Sequence, residues 1–197
     1  MEAKKHLPVL PLMVLIVGSV SIIIVLLVSF SPALLQLESV ENISEAKEVT
    51  EQYLARSYPG LEVREIMEFT ENYYVVVAEP ETGKGALELL VDRGAGRVVP
   101  EPGPNMMWNT KYGHHHFSNP TTVMPISLEQ ADNVAQEWLN RNIPGSTVKE
   151  TKTFYGYYTM DLEENGEILG MMSVNGYDGD VWYHSWHGEF IRMKEYN

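Results

Sequence analysis

The sequence contains no cysteine among its 197 residues. This absence excludes disulfide bonds, cysteine nucleophiles, four-cysteine zinc sites and covalently attached c-type haem. Basic residues are also scarce, since 14 Lys and Arg stand against 27 Asp and Glu and give a net charge of −13. An acidic surface of this kind repels phosphate backbones, so we expect no nucleic-acid partner.

The motifs of several common enzyme classes are missing as well. The chain has no Gly-x-Ser-x-Gly, no His-Glu-x-x-His, no P-loop and no Rossmann glycine pattern. Paired carboxylates such as Glu163-Glu164 lie in or beside predicted hairpins, where an acidic chain normally presents solvated side chains. We therefore expect no catalytic residues and predict that the protein is not an enzyme.

A long apolar run lies near the N-terminus. The stretch Leu12–Phe30 has no charged side chain and would form a helix of roughly 28 Å, close to the ~30 Å hydrocarbon core of a bilayer. Lys4 and Lys5 precede the run and acidic residues follow it, so the positive-inside rule places the N-terminus in the cytoplasm. We expect residues 1–33 to be a cytoplasmic stub and a signal-anchor transmembrane helix. The protein would then be single-pass in the cell membrane, with its C-terminal domain extracytoplasmic.

Two other interpretations of this run stay open. A cleaved signal peptide would have a shorter apolar region, and Ser31-Pro32-Ala33 is a poor cleavage site. A helix buried in a soluble domain would show a polar stripe, which this run lacks. We favour the uncleaved anchor.

The rest of the chain contains one unit twice. The first copy opens with Ile43-Ser44 and its helix stops at Pro59-Gly60, whereas the second opens with Ile126-Ser127 and stops at Pro144-Gly145. In both copies the serine is the predicted helix N-cap. Three strands are predicted after each helix: Glu62–Phe69, Tyr73–Glu79 and Ala86–Asp92, then Thr147–Phe154, Tyr157–Glu163 and Ile168–Asn175. Equivalent phrases are 83–85 residues apart, which indicates an internal duplication.

This repeated pattern resembles the PepSY domain. The resemblance rests on the Ile-Ser helix start with a following Ala, the Pro-Gly stop, and a final phrase that runs Val91-Asp92 to Val98 in the first copy and Val174-Asn175 to Val181 in the second. Asn175 replaces Asp92, so a role of that carboxylate is open in the second copy. The resemblance implies an α+β fold in which each repeat packs one helix on an antiparallel sheet, and a non-catalytic binding or regulatory module.

The expected domain organisation follows from the anchor and the duplication. The anchor region at 1–33 is followed by a PepSY-like repeat at 40–100, a connector rich in Pro, Met and His at 101–125, and a second repeat at 126–197. The connector carries too much apolar surface for an inert linker, and we expect Met106, Met107 and Trp108 to dock between the repeats.

We predict an accessory protein that acts on an extracytoplasmic protein or a membrane complex. In each copy a strand carries two adjacent tyrosines, so one ring faces the helix and its neighbour faces the open side of the sheet. Packing within the core explains these rings equally well. The candidate partner-binding residues are Tyr74, Tyr158, Trp108 and Trp186.

A metal-handling function is the alternative. Five of the six histidines fall in two groups, one in the connector and one after the second repeat. Imidazoles with thioethers suit copper, and imidazoles alone suit zinc. The candidate ligands are His114, His115, His116, His184, His187, Met106 and Met107. The duplication aligns His184 with Glu101, which predicts that both groups lie at one end of the molecule. Solvated surface histidines explain the same pattern, and no other cofactor is expected.

Overall fold

The protein is described by a computed structural model that covers residues 39–114 and 123–196. All of these residues belong to one compact unit. The predicted anchor helix, together with His115 and His116, lies outside the described residues. Within the described ranges, no helix is long and apolar enough to cross a membrane.

Each repeat consists of one long helix followed by antiparallel strands. The first repeat contains α1 (Ile43–Ser57), β1 (Glu62–Phe69), β2 (Asn72–Ala78), β3 (Gly85–Asp92) and β4 (Val98–Pro100), and the connector adds the short helix α2 (Pro104–Met107). The second repeat contains α3 (Leu128–Asn142), β5 (Thr147–Thr153), β6 (Tyr157–Glu164), β7 (Glu167–Asn175), β8 (Val181–Tyr183) and β9 (Phe190–Glu195). The predicted α+β class, with a helix on an antiparallel sheet, is confirmed.

Local side-chain chemistry sets the ends of both long helices. At the start of α1 the N-cap is Asn42, which accepts hydrogen bonds from the backbone of Ser44 and Glu45, so the predicted serine cap is wrong there. At α3 the predicted cap, Ser127, is confirmed and forms a capping box with its third helical residue. Both helices stop before a Pro-Gly pair because the glycines take φ values of +94° and +102°, which other residues rarely adopt.

The last strand crosses from the second repeat to the first. The strand orders are β4-β3-β2-β1-β9 and β5-β6-β7-β8. Although β9 follows β8 in the chain, it pairs antiparallel with β1. Sequence analysis did not predict this strand. The C-terminal strand therefore completes the sheet of the first repeat, and its pairing with β1 connects the two repeats.

Three apolar cores hold the molecule together. Two of them lie between a helix and its own sheet, and they include Leu54 in the first repeat and Leu139 in the second. The third lies between the helix-free faces of the two sheets, and we call it the inter-sheet core. Its buried members are Met67, Phe69, Tyr74, Val76, Phe154, Tyr157 and Met171. The faces that were expected to be open therefore cover each other.

Candidate functional site

The tyrosines proposed for partner binding are buried. Tyr74 is 0 % exposed in the inter-sheet core, whereas Tyr158 is 5 % exposed in the helix-side core of the second repeat. The expectation that both rings lie on an open side of a sheet is wrong. Tyr74 is covered because the two sheets pack on each other. Tyr158 faces its own helix, because a shift of one residue along a strand moves a side chain to the opposite face. Trp108 and Trp186 are half-buried.

The connector continues the edge of the first sheet. The Asn105 side chain donates to the Glu88 carbonyl and accepts from the Glu88 backbone N–H, both at 3.0 Å. The Asn109 side chain donates to the carbonyl of Ala86 at 2.8 Å. These amides take the place of strand hydrogen bonds on β3, and they hold Trp108 against the inter-sheet core. The docking expected of Met107 is not observed, because 44 % of this residue is exposed.

A buried carboxylate lies at the centre of the polar contacts between the sheets. Glu88 is 0 % exposed, and its carboxylate accepts hydrogen bonds from Tyr74 at 2.5 Å, Tyr157 at 2.7 Å and Thr159 at 2.7 Å. Burial, followed by the charge of Glu101, raises the pKa of Glu88 to about 7. Three hydroxyl donors from both repeats therefore compensate for the burial of this group.

A chain of hydroxyl groups connects Glu88 to a histidine. The Thr159 hydroxyl lies 2.9 Å from the Ser173 hydroxyl, which in turn lies 3.0 Å from Nε2 of His184. Thr159, Ser173 and His184 are all buried. This contiguous network crosses from the first sheet into β6, β7 and the segment after β8.

The chain of hydroxyl groups ends at three buried residues that we call the Glu–His–His cluster (Glu101, His184 and His187). Oε1 of Glu101 lies 3.2 Å from Nδ1 of His184 and 3.0 Å from Nε2 of His187. All three residues are buried, with at most 3 % exposed. Trp186 stacks on the ring of His184 at a centroid distance of 5.0 Å. The side chain of Trp186 also donates to Glu101 at 3.3 Å.

Charge pairing dominates the electrostatics of this cluster. Burial alone would raise the pKa of Glu101, but the two histidines outweigh it and lower the pKa to about 2. Burial would lower the pKa of His184, but the charge and hydrogen bond of Glu101 raise it above its ordinary value. Without a bound cation, a carboxylate and an imidazolium therefore satisfy each other here.

Of the five predicted metal ligands in the described ranges, the structure brings together two. His184 and His187 converge with Glu101, and these three residues form one of two groups in the described ranges that could hold a metal ion. The other group is Glu65, Glu150 and Glu195, of which two are exposed. His114 and Met107 are exposed, and Met106 is half-buried.

Sequence reasoning missed Glu101 as a site residue. A glutamate in an acidic chain is usually solvated, so nothing in composition singled it out. The duplication did contain a signal, because it aligns Glu101 with His184. In each repeat the polar residue directly follows a three-residue strand, β4 or β8, and the packing of the two sheets brings these positions together.

The fold and the cluster define a two-repeat α+β protein with a buried acid–histidine site. No family model matches the sequence, and no curated protein matches it. Among solved structures, the chain is similar to the Bacillus megaterium YpeB C-terminal domain, at 16% sequence identity and a TM-score of 0.29. The match covers 76% of this chain and 64% of that chain, which is less than two thirds of its length. A TM-score this low transfers neither fold nor function.

Proposed function

We propose that the chain is a non-catalytic accessory protein, built from two PepSY-like modules, that binds an extracytoplasmic protein or a membrane complex. The predicted anchor at Leu12–Phe30 would hold it at the membrane. The resemblance of both repeats to PepSY domains supports this function. The observation that carries it is a set of three apolar side chains on β4, α2 and β8, here called the rim strip, that stay exposed beside residues of the inter-sheet core.

This rim strip consists of Val99, Met107 and Trp182, which are 37 %, 44 % and 38 % exposed. Val99 and Trp182 occupy equivalent positions of β4 and β8, and both point to the side of the sheet that faces the other repeat. The ring of Trp182 covers Gly103, where an added Cβ would lie 3.2 Å away. Large side chains of this kind, next to a well-packed core, are typical of protein-binding surfaces.

Charge indicates the chemistry of the partner. The chain has a net charge of −13, so a partner with a basic border around an apolar centre would be attracted and oriented. The same charge disfavours anionic lipid headgroups as the ligand. A protein surface therefore fits the rim strip better than a lipid surface.

Site-specific photo-crosslinking in cells tests this function. A photoreactive residue at Trp182 is expected to form one discrete crosslinked product, and the substitution Val99→Asp should abolish it. Ile191 is the matched control, because it is 46 % exposed but lies on β9 at the opposite edge of the same sheet as β4. Equal crosslinking from both positions, or none from Trp182, would contradict the proposal.

Metal handling outside the cytoplasm is the second candidate function. One observation favours it, namely that Glu101, His184 and His187 bring their ligand atoms within 4.8 Å of one another in a buried position. Metal analysis of the full chain, purified without a histidine tag from cells grown with copper and zinc, tests this function directly. Stoichiometric metal supports it, and metal-free protein that also binds none on titration contradicts it.

A further inference from the structure

Hydrogen bonding fixes the tautomer of His187. The Asn72 side-chain nitrogen donates to the Trp186 carbonyl at 3.0 Å, so its oxygen is the atom that faces Nδ1 of His187 at 2.8 Å. An amide oxygen only accepts, and Nδ1 of His187 must therefore carry the hydrogen. In the neutral ring, the lone pair then lies on Nε2, which is the nitrogen that faces Glu101.

The chain of hydroxyls sets the tautomer of His184 when Glu88 is ionised, which is the case above its pKa of about 7. The ionised carboxylate only accepts, so Thr159 donates to it and the Ser173 hydroxyl donates to Thr159. The Ser173 oxygen is then left to accept from Nε2–H of His184. In the neutral ring, the lone pair lies on Nδ1, which is again the nitrogen that faces Glu101.

Three electron-pair donors thus converge on one buried point. Oε1 of Glu101 lies 3.2 Å from Nδ1 of His184 and 3.0 Å from Nε2 of His187, and neither nitrogen has a hydrogen bond of acceptable geometry. The other Glu101 oxygen, Oε2, is also buried without a partner. Buried polar atoms normally find a partner, and lone pairs that face a carboxylate repel it. Protons on both imidazoles would satisfy these atoms without an ion, and one cation between the three residues would satisfy all of them at once.

We propose that Glu101, His184 and His187 form a binding site for one divalent transition-metal ion of the zinc class. This assignment rests on the second candidate function, metal handling, and narrows it to one ligand set. Two imidazoles and one carboxylate are a common zinc set that leaves a fourth position open. The site would take its ion through Nδ1 of His184, Nε2 of His187 and the Glu101 carboxylate.

The spacing from Glu101 to each histidine fits this ion. Ligand bonds of ~2.0–2.1 Å in tetrahedral geometry place neighbouring ligand atoms about 3.3 Å apart, and the Glu101 oxygen lies 3.2 Å and 3.0 Å from the two nitrogens. The second nitrogen of each ring is hydrogen-bonded, to Ser173 and to Asn72. Outer contacts of this kind orient metal-bound histidines and raise their basicity. The proposed ligand set contains no thioether, which disfavours copper(I).

Zinc titration of the full chain tests the site. The protein is purified in detergent without a histidine tag, stripped with a chelator and titrated calorimetrically with Zn²⁺. We expect one ion per chain, and a rise in Tm of about 5–10 °C at 100 times Kd. The variants His187→Ala and Glu101→Gln should each lower the affinity at least 100-fold. His114→Ala is the matched control, because it removes an exposed imidazole, and it should bind like the wild type.

A milder variant keeps the test decisive if a ligand variant fails to fold. Asn72→Ala leaves all three ligands in place but frees the ring of His187, and it should weaken zinc binding about 10–100-fold. Binding that survives His187→Ala but is lost when His114, His115 and His116 are all replaced overturns the site and leaves metal handling standing. Absence of zinc binding in the wild type overturns the site, and absence of copper binding as well overturns metal handling; the three residues of the cluster would then only share protons.

Discussion

At the scale of single residues, the contacts between the repeats include glutamate carboxylates in the buried interior, where glutamate is rare. Glu88 stands in the apolar strand Gly85–Asp92 and is 0 % exposed. Composition gives no reason to bury it, because a glutamate is almost never fully buried unless it is paired. Its three hydroxyl donors come from β2 and β6, far apart in the chain. Such a group can be predicted only when the packing of the two sheets is known.

Removal of one donor should expose the cost of this buried charge. Tyr157→Phe leaves Oε2 of Glu88 without its hydroxyl partner, and we expect a loss of about 1–3 kcal/mol in the free energy of unfolding. The loss should be larger at pH 8 than at pH 5, because the pKa of Glu88 is about 7 and only the ionised form needs all three donors. Urea denaturation at both pH values measures it. Tyr58→Phe, at the end of α1, is the control, and an equal loss in both variants would contradict the account.

The sign of the wild-type pH dependence follows from the same group. An unfolded glutamate releases its proton near 4.5, whereas folded Glu88 keeps it until about 7, so its pKa is raised on folding. Its contribution to stability is complete below pH 4.5 and is lost as the pH rises towards 7. For a carboxylate whose pKa is lowered on folding, the contribution to stability is lost as the pH falls.

Glu79 is such a carboxylate. Burial opposes its charge, but hydrogen bonds from Lys111, Tyr112 and Tyr155 lower its pKa from 4.5 to about 2. Its stabilisation is present above pH 4.5 and is lost as the pH falls towards 2. Glu79→Gln should therefore cost about 2 kcal/mol at pH 6 and almost nothing at pH 2. Thermal melts over this range measure the difference, and Glu81→Gln on the neighbouring turn should be neutral. A pH-independent cost for Glu79→Gln would refute the assignment.

At the scale of secondary structure, the sequence predicts what is local. Apolar spacing, the Pro-Gly stops and the turn residues placed both long helices and six strands within one or two residues of their observed ends. The strand β9 was missed because its partner, β1, lies far away along the chain, and because charged residues interrupt its apolar pattern. The sequence also did not predict which face of each sheet is exposed, because this depends on how one repeat packs on the other.

The strand β9 should contribute to stability through its first residue. Phe190 packs edge-on against buried Phe69 at a centroid distance of 5.8 Å, so Phe190→Ala should cost about 2–3 kcal/mol. Ile191→Ala, at a position 46 % exposed on the same strand, should cost under about 0.5 kcal/mol. Urea denaturation of the two variants compares them. If Phe190→Ala lowers the free energy of unfolding no more than Ile191→Ala does, β9 does not stabilise the first sheet through Phe190.

At the scale of the whole molecule, the repeats form one folding unit. The inter-sheet core, the Glu88 network and the pairing of β9 with β1 all join residues from both repeats. A repeat pair connected only by a linker would unfold in two steps, whereas shared cores of this size favour a single cooperative transition.

Core substitutions in either repeat should therefore lower the same transition. Leu54→Ala empties part of the first helix-side core and Leu139→Ala part of the second, where the two side chains are 3 % and 0 % exposed. Each should cost about 2–4 kcal/mol and leave one transition. Calorimetry together with near-UV circular dichroism measures this. A variant in which one repeat melts separately from the other would contradict the account.

The proposed metal site of Glu101, His184 and His187 depends on the packing of the two repeats. Anomalous diffraction at the zinc absorption edge, from crystals of the full chain grown with Zn²⁺, tests whether the ion binds there. The account predicts one strong peak about 2.0–2.2 Å from Nδ1 of His184, Nε2 of His187 and a Glu101 carboxylate oxygen. A peak that lies instead on His114–His116, or a cluster without any peak, would contradict it.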